Sequence, residues 1–130
     1  MRKLIACVAS ISALCGSAAA ATLSNADRLA LQTAMVQHID RQTVDGLYPW
    51  FDVKSGGIDR YSPAKSHPMI IRAGDTFVLC NDFKDRDGAA TNADFYMMRK
   101  GASFDVIRTE IANRAPLETL MNAGKAQPAD

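Results

Sequence analysis

From Ser24 to about Thr43 apolar residues recur near helical spacing, at Leu29, Val36 and Ile39, with Ala30, Ala34 and Met35 widening the stripe. Ser24 offers an N-cap oxygen and Asp27 stands three residues on, so the pattern predicts a helix that starts here. Asp45-Gly46 is expected to end it, glycine being the usual residue for the left-handed turn past a helix. Arg28, Gln32, Gln37 and Asp40 belong to its exposed faces.

From Leu47 onward the period becomes that of strands. Tyr48–Val53 reads as a short extended run whose Pro49 suits an edge, and Ser55-Gly56-Gly57 turns it into a second run from Ile58 to Ser62. Residues 63–68, Pro-Ala-Lys-Ser-His-Pro, read as a connecting loop, and Met69–Ile71 as a strand start that Ala73-Gly74-Asp75 interrupts. Three stronger strands follow, Thr76–Phe83, Thr91–Arg99 and Ser103–Ile111, with turn chemistry at Asp85-Arg86-Asp87-Gly88 and Lys100-Gly101. A short helix is expected over Pro116–Ala123, stopped at Gly124, and then a loose polar tail, residues 125–130.

A two-residue turn at Lys100-Gly101 would set Met97 opposite Phe104 and Phe95 opposite Val106, giving an apolar face for the first helix. With the same parity in the preceding hairpin, Val78, Cys80 and Asp82 join that face. Phe77, Leu79, Asn81 and Phe83 then fall on the other, beside Asp94, Tyr96, Met98, Asp105 and Ile107. So apolar a second face calls for a cover, either the C-terminal helix through Leu117, Leu120 and Met121 or a second subunit.

The N-terminus changes the setting. Arg2 and Lys3 precede an apolar run from Leu4 to Leu14 and the small residues Ser17–Ala21, the pattern of a cleaved secretory signal over residues 1–20. Lipidation at Cys7 or Cys15 fits less well, since Cys7 lies too near the start and Cys15 follows a leucine. The apolar run is also shorter than the roughly 18 residues that span a bilayer. Cleavage near Ala20 removes two of the three cysteines and leaves Cys80 as the one thiol, in a periplasmic or secreted domain with no intramolecular disulfide. Losing Arg2 and Lys3 leaves thirteen basic against fourteen acidic residues, a balance that lacks the positive field of nucleic-acid binding. The remaining 110 residues make one domain, 21–124, followed by the tail. Cys80, flanked by Val78 and Leu79, is expected to be buried on the helix side.

A helix followed by a curved antiparallel sheet resembles the cystatin-like and nuclear-transport-factor-like architectures, in which the sheet wraps the helix. The His67-Pro68 pair, the Phe77–Cys80 strand and the Asp94–Tyr96 strand also resemble short secreted proteobacterial proteins, a likeness that implies the compartment and no activity. Gln42-Thr-Val-Asp-Gly46 is similar to the first protease-blocking loop of cystatins, and Pro49-Trp50 to the second, but both stand within nine residues at the helix exit. A last helical turn, a core valine and a helix-stop glycine account for the same five residues.

For chemistry, the suggestive set is His67, Asp82, Asp94, Tyr96 and Arg99, because cone-shaped nuclear-transport-factor-like enzymes place His or Asp with Tyr inside the cone for acid–base work. The plainer account makes Asp94 and Tyr96 a rim pair and His67 a loop residue. Tyr48, Trp50, Phe51 and Tyr61 form the candidate binding cluster, since aromatics favour interfaces. Asp85, Asp87, Gly88 and Asp94 match part of a calcium loop, but Phe83 stands at its first ligand place and the flanks are strands. Two histidines and one surviving cysteine fall short of a four-ligand zinc site, and no metal or cofactor is expected. The chain thus reads as α+β, a long N-terminal helix on a curved four- to five-stranded antiparallel sheet with a short C-terminal helix. Its expected role is a non-enzymatic binding or accessory protein for a small molecule or protein, with a homodimer through the sheet as one arrangement. The alternatives are a small cone-fold enzyme using Asp94, Tyr96 and His67, and an inhibitor acting through residues 42–46.

Overall fold

The computed structural model describes residues 22–129, so the segment 1–20 read as a signal, with its expected cleavage site, lies outside the described residues. Helix α1 spans Asn25–Gln42, and the Ser24 side chain accepts a hydrogen bond from the Asp27 backbone N–H at 3.0 Å, which caps it. Its buried stripe is Leu31, Ala34, Met35 and Ile39, whereas Leu29 and Val36 are exposed. The stripe is therefore rotated from the one the spacing suggested. Thr43 closes the helix with both its backbone N–H and its hydroxyl on the Ile39 carbonyl. Asp45-Gly46 does not cap it. Both residues have positive φ and make the tight turn between Val44 and Leu47, which pair across it through two backbone hydrogen bonds.

Five strands form an antiparallel meander: β1 Tyr48–Asp52, β2 Gly57–Ala73, β3 Thr76–Lys84, β4 Ala90–Lys100 and β5 Ser103–Ile111, neighbours in that order. Helix α2, Ala115–Asn122, and a two-residue strand β6, Gln127–Pro128, complete the chain. The fold is α+β, with one strand more than the sequence suggested because β6 pairs with β2. The tail read as loose thus returns to the sheet: Ala129 N–H donates to the Ile70 carbonyl, and Arg28 reaches the Ala129 carbonyl at 2.8 Å.

Residues 63–68, taken from sequence for a loop, lie inside β2. The strand carries register shifts between Pro63 and Ser66 and between Ser66 and Ile70, where Pro63 and Pro68 supply no N–H to the ladder. Gln32 of α1 holds the irregular stretch through the His67 carbonyl at 3.1 Å.

Two corrections of register decide where the chemistry sits. The β4–β5 turn falls on Gly101-Ala102, so Met97 faces Val106 and Arg99 faces Phe104, two residues from the predicted pairing. A shift of two keeps Ser103–Val106 on their predicted faces, and a one-residue bulge beyond Met97 leaves Ile107 exposed and inverts the parity from Arg108 to Ile111. The β3–β4 connection is different. Five residues, 85–89, separate Lys84 from Ala90, and this odd number inverts the parity. Phe77, Leu79, Asn81 and Phe83 therefore face α1, while Val78, Cys80 and Asp82 lie on the opposite face with Tyr96, Asp94 and Asn92. Cys80 is not on the helix side.

The helix side holds the main core, in which Leu31, Met35, Phe83, Phe95 and Met97 are fully buried. Phe83 and Phe95 meet edge to face at 6.2 Å, and Tyr48 packs on both. On the opposite face Ile71, Val78 and Tyr96 are covered by Leu117 of α2 and by Ala126. Of the two covers anticipated, the C-terminal helix supplies this one. Among the described residues no helix is long and apolar enough to cross a membrane.

Candidate functional site

Asp94 stands inside a buried run, Ala93–Met97, with none of its side chain exposed. A carboxylate without water needs internal partners. It has four hydrogen bonds: from the Cys80 thiol at 2.7 Å, from Arg114 Nη2 at 3.0 Å and Nε at 3.3 Å, and from Asn92 at 3.4 Å. The strand register delivers two of these donors, since Cys80 is the direct cross-strand partner of Asp94 and Asn92 lies two residues along β4. Arg114 comes from the other side, at the N-cap position of α2, after Ala112 has taken a positive φ to redirect the chain out of β5.

Arg114 Nη2 also lies 3.1 Å from the Cys80 sulfur. Burial, and then the Asp94 carboxylate it donates to, push the Cys80 thiol up to about 12. At neutral pH the group is a thiol and not the nucleophilic thiolate. The hydrogen bonds that Arg114 donates to Asp94 likewise raise the affinity of Arg114 for its proton, so the ion pair holds both partners in place.

One rung along the sheet His67 Nε2 lies 2.7 Å from Asp82, and both side chains are partly exposed. Between this pair and α2 runs a groove of about 360 Å³. Met69, Ile71, Val78 and Leu117 form its apolar walls, and His67, Asp82, Cys80, Asn92, Asp94 and Arg114 its polar ones. A larger hollow, about 690 Å³, opens between the β1–β2 hairpin and the loop 85–89. No residue lining it is buried, and its exposed Asp59, Arg60, Arg86 and Asp87 carry charges of both signs, so the smaller groove has the more specific chemistry.

The set singled out from sequence is only partly brought together. His67, Asp82 and Asp94 line the groove. Tyr96 shares the face of Asp94 but packs under α2 with Val78 and Leu117, and its hydroxyl has no hydrogen bond among the described residues. Arg99 pairs with Asp27 at 2.9 Å, tying β4 to the start of α1. The aromatic cluster is divided between faces. Tyr48 is buried, Tyr61 stacks on Phe83, Trp50 packs against the main core, and Phe51 alone is exposed. Residues 42–46 span the end of α1 and the tight turn; Val44, expected in the core, is exposed. In the loop 85–89 the Asp85 carboxylate accepts from the Asp87 and Ala89 backbone N–H groups, both at 2.9 Å, which makes it a turn residue.

Sequence reasoning missed Arg114 and gave Cys80 the wrong face. A signal was available for Arg114: a carboxylate inside an apolar run calls for donors or a cation, and the chain leaving β5 passes the neighbouring strand at that point. Fold and groove define a small α+β domain with a two-faced antiparallel sheet. Comparison with family models, with curated proteins and with solved structures gives no match to this chain.

Proposed function

We propose that the protein is a small, non-enzymatic binding module of the periplasm or extracellular space, exported through its N-terminal segment, with the groove beside α2 as its ligand site. One observation carries this reading. The reactive groups on the groove wall are occupied with one another: the Asp94 carboxylate accepts four hydrogen bonds, and the Cys80 thiol keeps its proton. A general base needs a free lone pair near its substrate and a nucleophile needs its anion. Neither Asp94 nor Cys80 presents one, and the third reactive group on the wall, His67, has its Nε2 on the Asp82 carboxylate at 2.7 Å. The acid–base alternative also loses Tyr96, whose hydroxyl lies outside the groove. What the groove offers is apolar surface with a few fixed polar groups, the usual composition of a small-molecule site.

Export is tested by the mass of the protein recovered from the periplasmic fraction. A start at Ala21 or Thr22 supports the reading, and an intact Met1 or a diacylglyceryl cysteine contradicts it. The site is tested by titrating octan-1-ol, a neutral amphiphile, into ¹⁵N-labelled protein. Amide shifts should centre on Val78, Cys80, Asp94 and Leu117, and shifts confined to other surfaces would overturn the assignment.

A further inference from the structure

The groove is graded along the strands. The register places three successive rungs on this face, Asp82 with Asn92, Cys80 with Asp94, and Val78 with Tyr96. His67 joins the first, Arg114 the second, and Leu117 and Ile71 the third. Polar groups thus give way to aliphatic ones over three rungs.

Arg114 is the asymmetric member of its ion pair. Asp94 is sealed from water while the Arg114 side chain is 45% exposed, so the positive end of the pair is the end a ligand meets. Nε and Nη2 are spent on Asp94 and Cys80, but Nη1 has no hydrogen bond among the described residues. A guanidinium fork with one free terminal nitrogen can take a further carboxylate oxygen. Arg114 also stands at the N-cap of α2, which has no side-chain cap, and the positive end of that helix is offset by the Glu118 carboxylate in its first turn, so the guanidinium itself supplies the attraction. At the first rung the Asp82 carboxylate repels an acid head, which favours placement beside Arg114.

We infer that the groove binds a small amphipathic carboxylic acid, its head on the free edge of Arg114 and its aliphatic or aryl body along Met69, Ile71, Val78 and Leu117. The inference rests on the binding reading above and names its ligand class. A volume of about 360 Å³, at roughly 30 Å³ per water-sized group, accommodates about a dozen non-hydrogen atoms.

The test compares three probes with the same chain and different heads, octanoate, octan-1-ol and octylammonium, each titrated into the ¹⁵N-labelled signal-free chain. Octanoate should bind in the groove about tenfold tighter than octanol or more, and octylammonium weakest of the three. Because Arg114→Gln alone strands a buried carboxylate, the second arm uses Arg114→Gln with Asp94→Asn, which removes both charges together. In that variant, shown folded by its amide spectrum, octanoate should bind no tighter than octanol. Equal affinities in the native groove, a preference for octylammonium, or an acid preference that survives the double substitution would overturn the ligand class while leaving the groove as a binding site. Shifts from all three probes at other surfaces would overturn the groove itself.

Discussion

The two faces of one sheet are built on different terms. Toward α1 the strands present Phe77, Leu79, Phe83, Phe95 and Met97, all buried and closed over by a helix of eighteen residues. Toward α2 the same strands present Val78, Cys80, Asp82, Asn92 and Asp94 to a helix of eight residues, which covers the Val78 end and leaves a groove at the other. Between α1 and strands β3 and β4 the first face is filled by side chains. The second keeps buried polar groups, which contribute little net stability but fix geometry. The closed core and the proposed binding groove thus lie on faces that alternate residue by residue along β3 and β4.

If the helix side carries the stability, the largest loss should come from Phe95→Ala, which opens a cavity among Met35, Phe83 and Tyr48. A cost of about 3–5 kcal/mol is expected from such truncations, read as a lowered denaturation midpoint with unchanged slope. A loss under about 1 kcal/mol would break the comparison at its base.

Arg114→Ala comes next, since it leaves Asp94 buried without its cation. Breaking a buried pair from one side costs about 3–5 kcal/mol, and the half-exposed guanidinium puts this case near the lower end. Asp94→Leu with Arg114→Met should recover most of that loss, because the desolvation cost of both charges disappears together. Should the double variant be no more stable than Arg114→Ala, the pair is not the isolated polar unit described here.

Smaller effects separate the faces by pH. Cys80 holds its proton up to about 12 when folded, against 9.0 unperturbed, because of burial and the Asp94 carboxylate. Between those values the unfolded chain has lost a proton that the folded one keeps, so its contribution to stability is complete below about pH 9 and is lost as pH rises toward 12. The melting temperature of the native protein should therefore fall more steeply over that range than that of Cys80→Ala. On the other face burial, and then Arg41, lower the pKa of His38 below 6.5. Below that pH the unfolded state binds the proton more readily, so stability present above pH 6.5 declines with acidification. His38→Gln should flatten the acid limb, and identical limbs for the two proteins would remove His38 from the account.

Much of this architecture was legible because local chemistry and tertiary structure agree. Ser24 caps α1, Pro49 lies on an edge strand, and Ser103–Ile111 forms β5 over the expected residues. The failures have physical causes. Pro63 and Pro68 looked like loop residues because prolines weaken a ladder, yet β2 absorbs them as register shifts. The helix stripe was misplaced because Leu29 and Val36, apolar and well spaced, face away from the sheet. The candidate site was half visible. Asp94, Asp82 and His67 declared themselves by residue type, but their meeting with Cys80 and Arg114 depends on the odd length of loop 85–89 and on the turn at Ala112. A hydrophobic pattern does not encode the parity of a five-residue turn.

That parity decides whether the groove exists, and side-chain nuclear Overhauser effects to Cys80 report it. In ¹³C-edited spectra of the native protein the Cys80 β-protons should show cross-peaks to Arg114 and to other groove residues, and none to Leu31 or Met35 of α1. Cross-peaks to the α1 side chains in place of Arg114 would return Cys80 to the helix face and dissolve the groove described here.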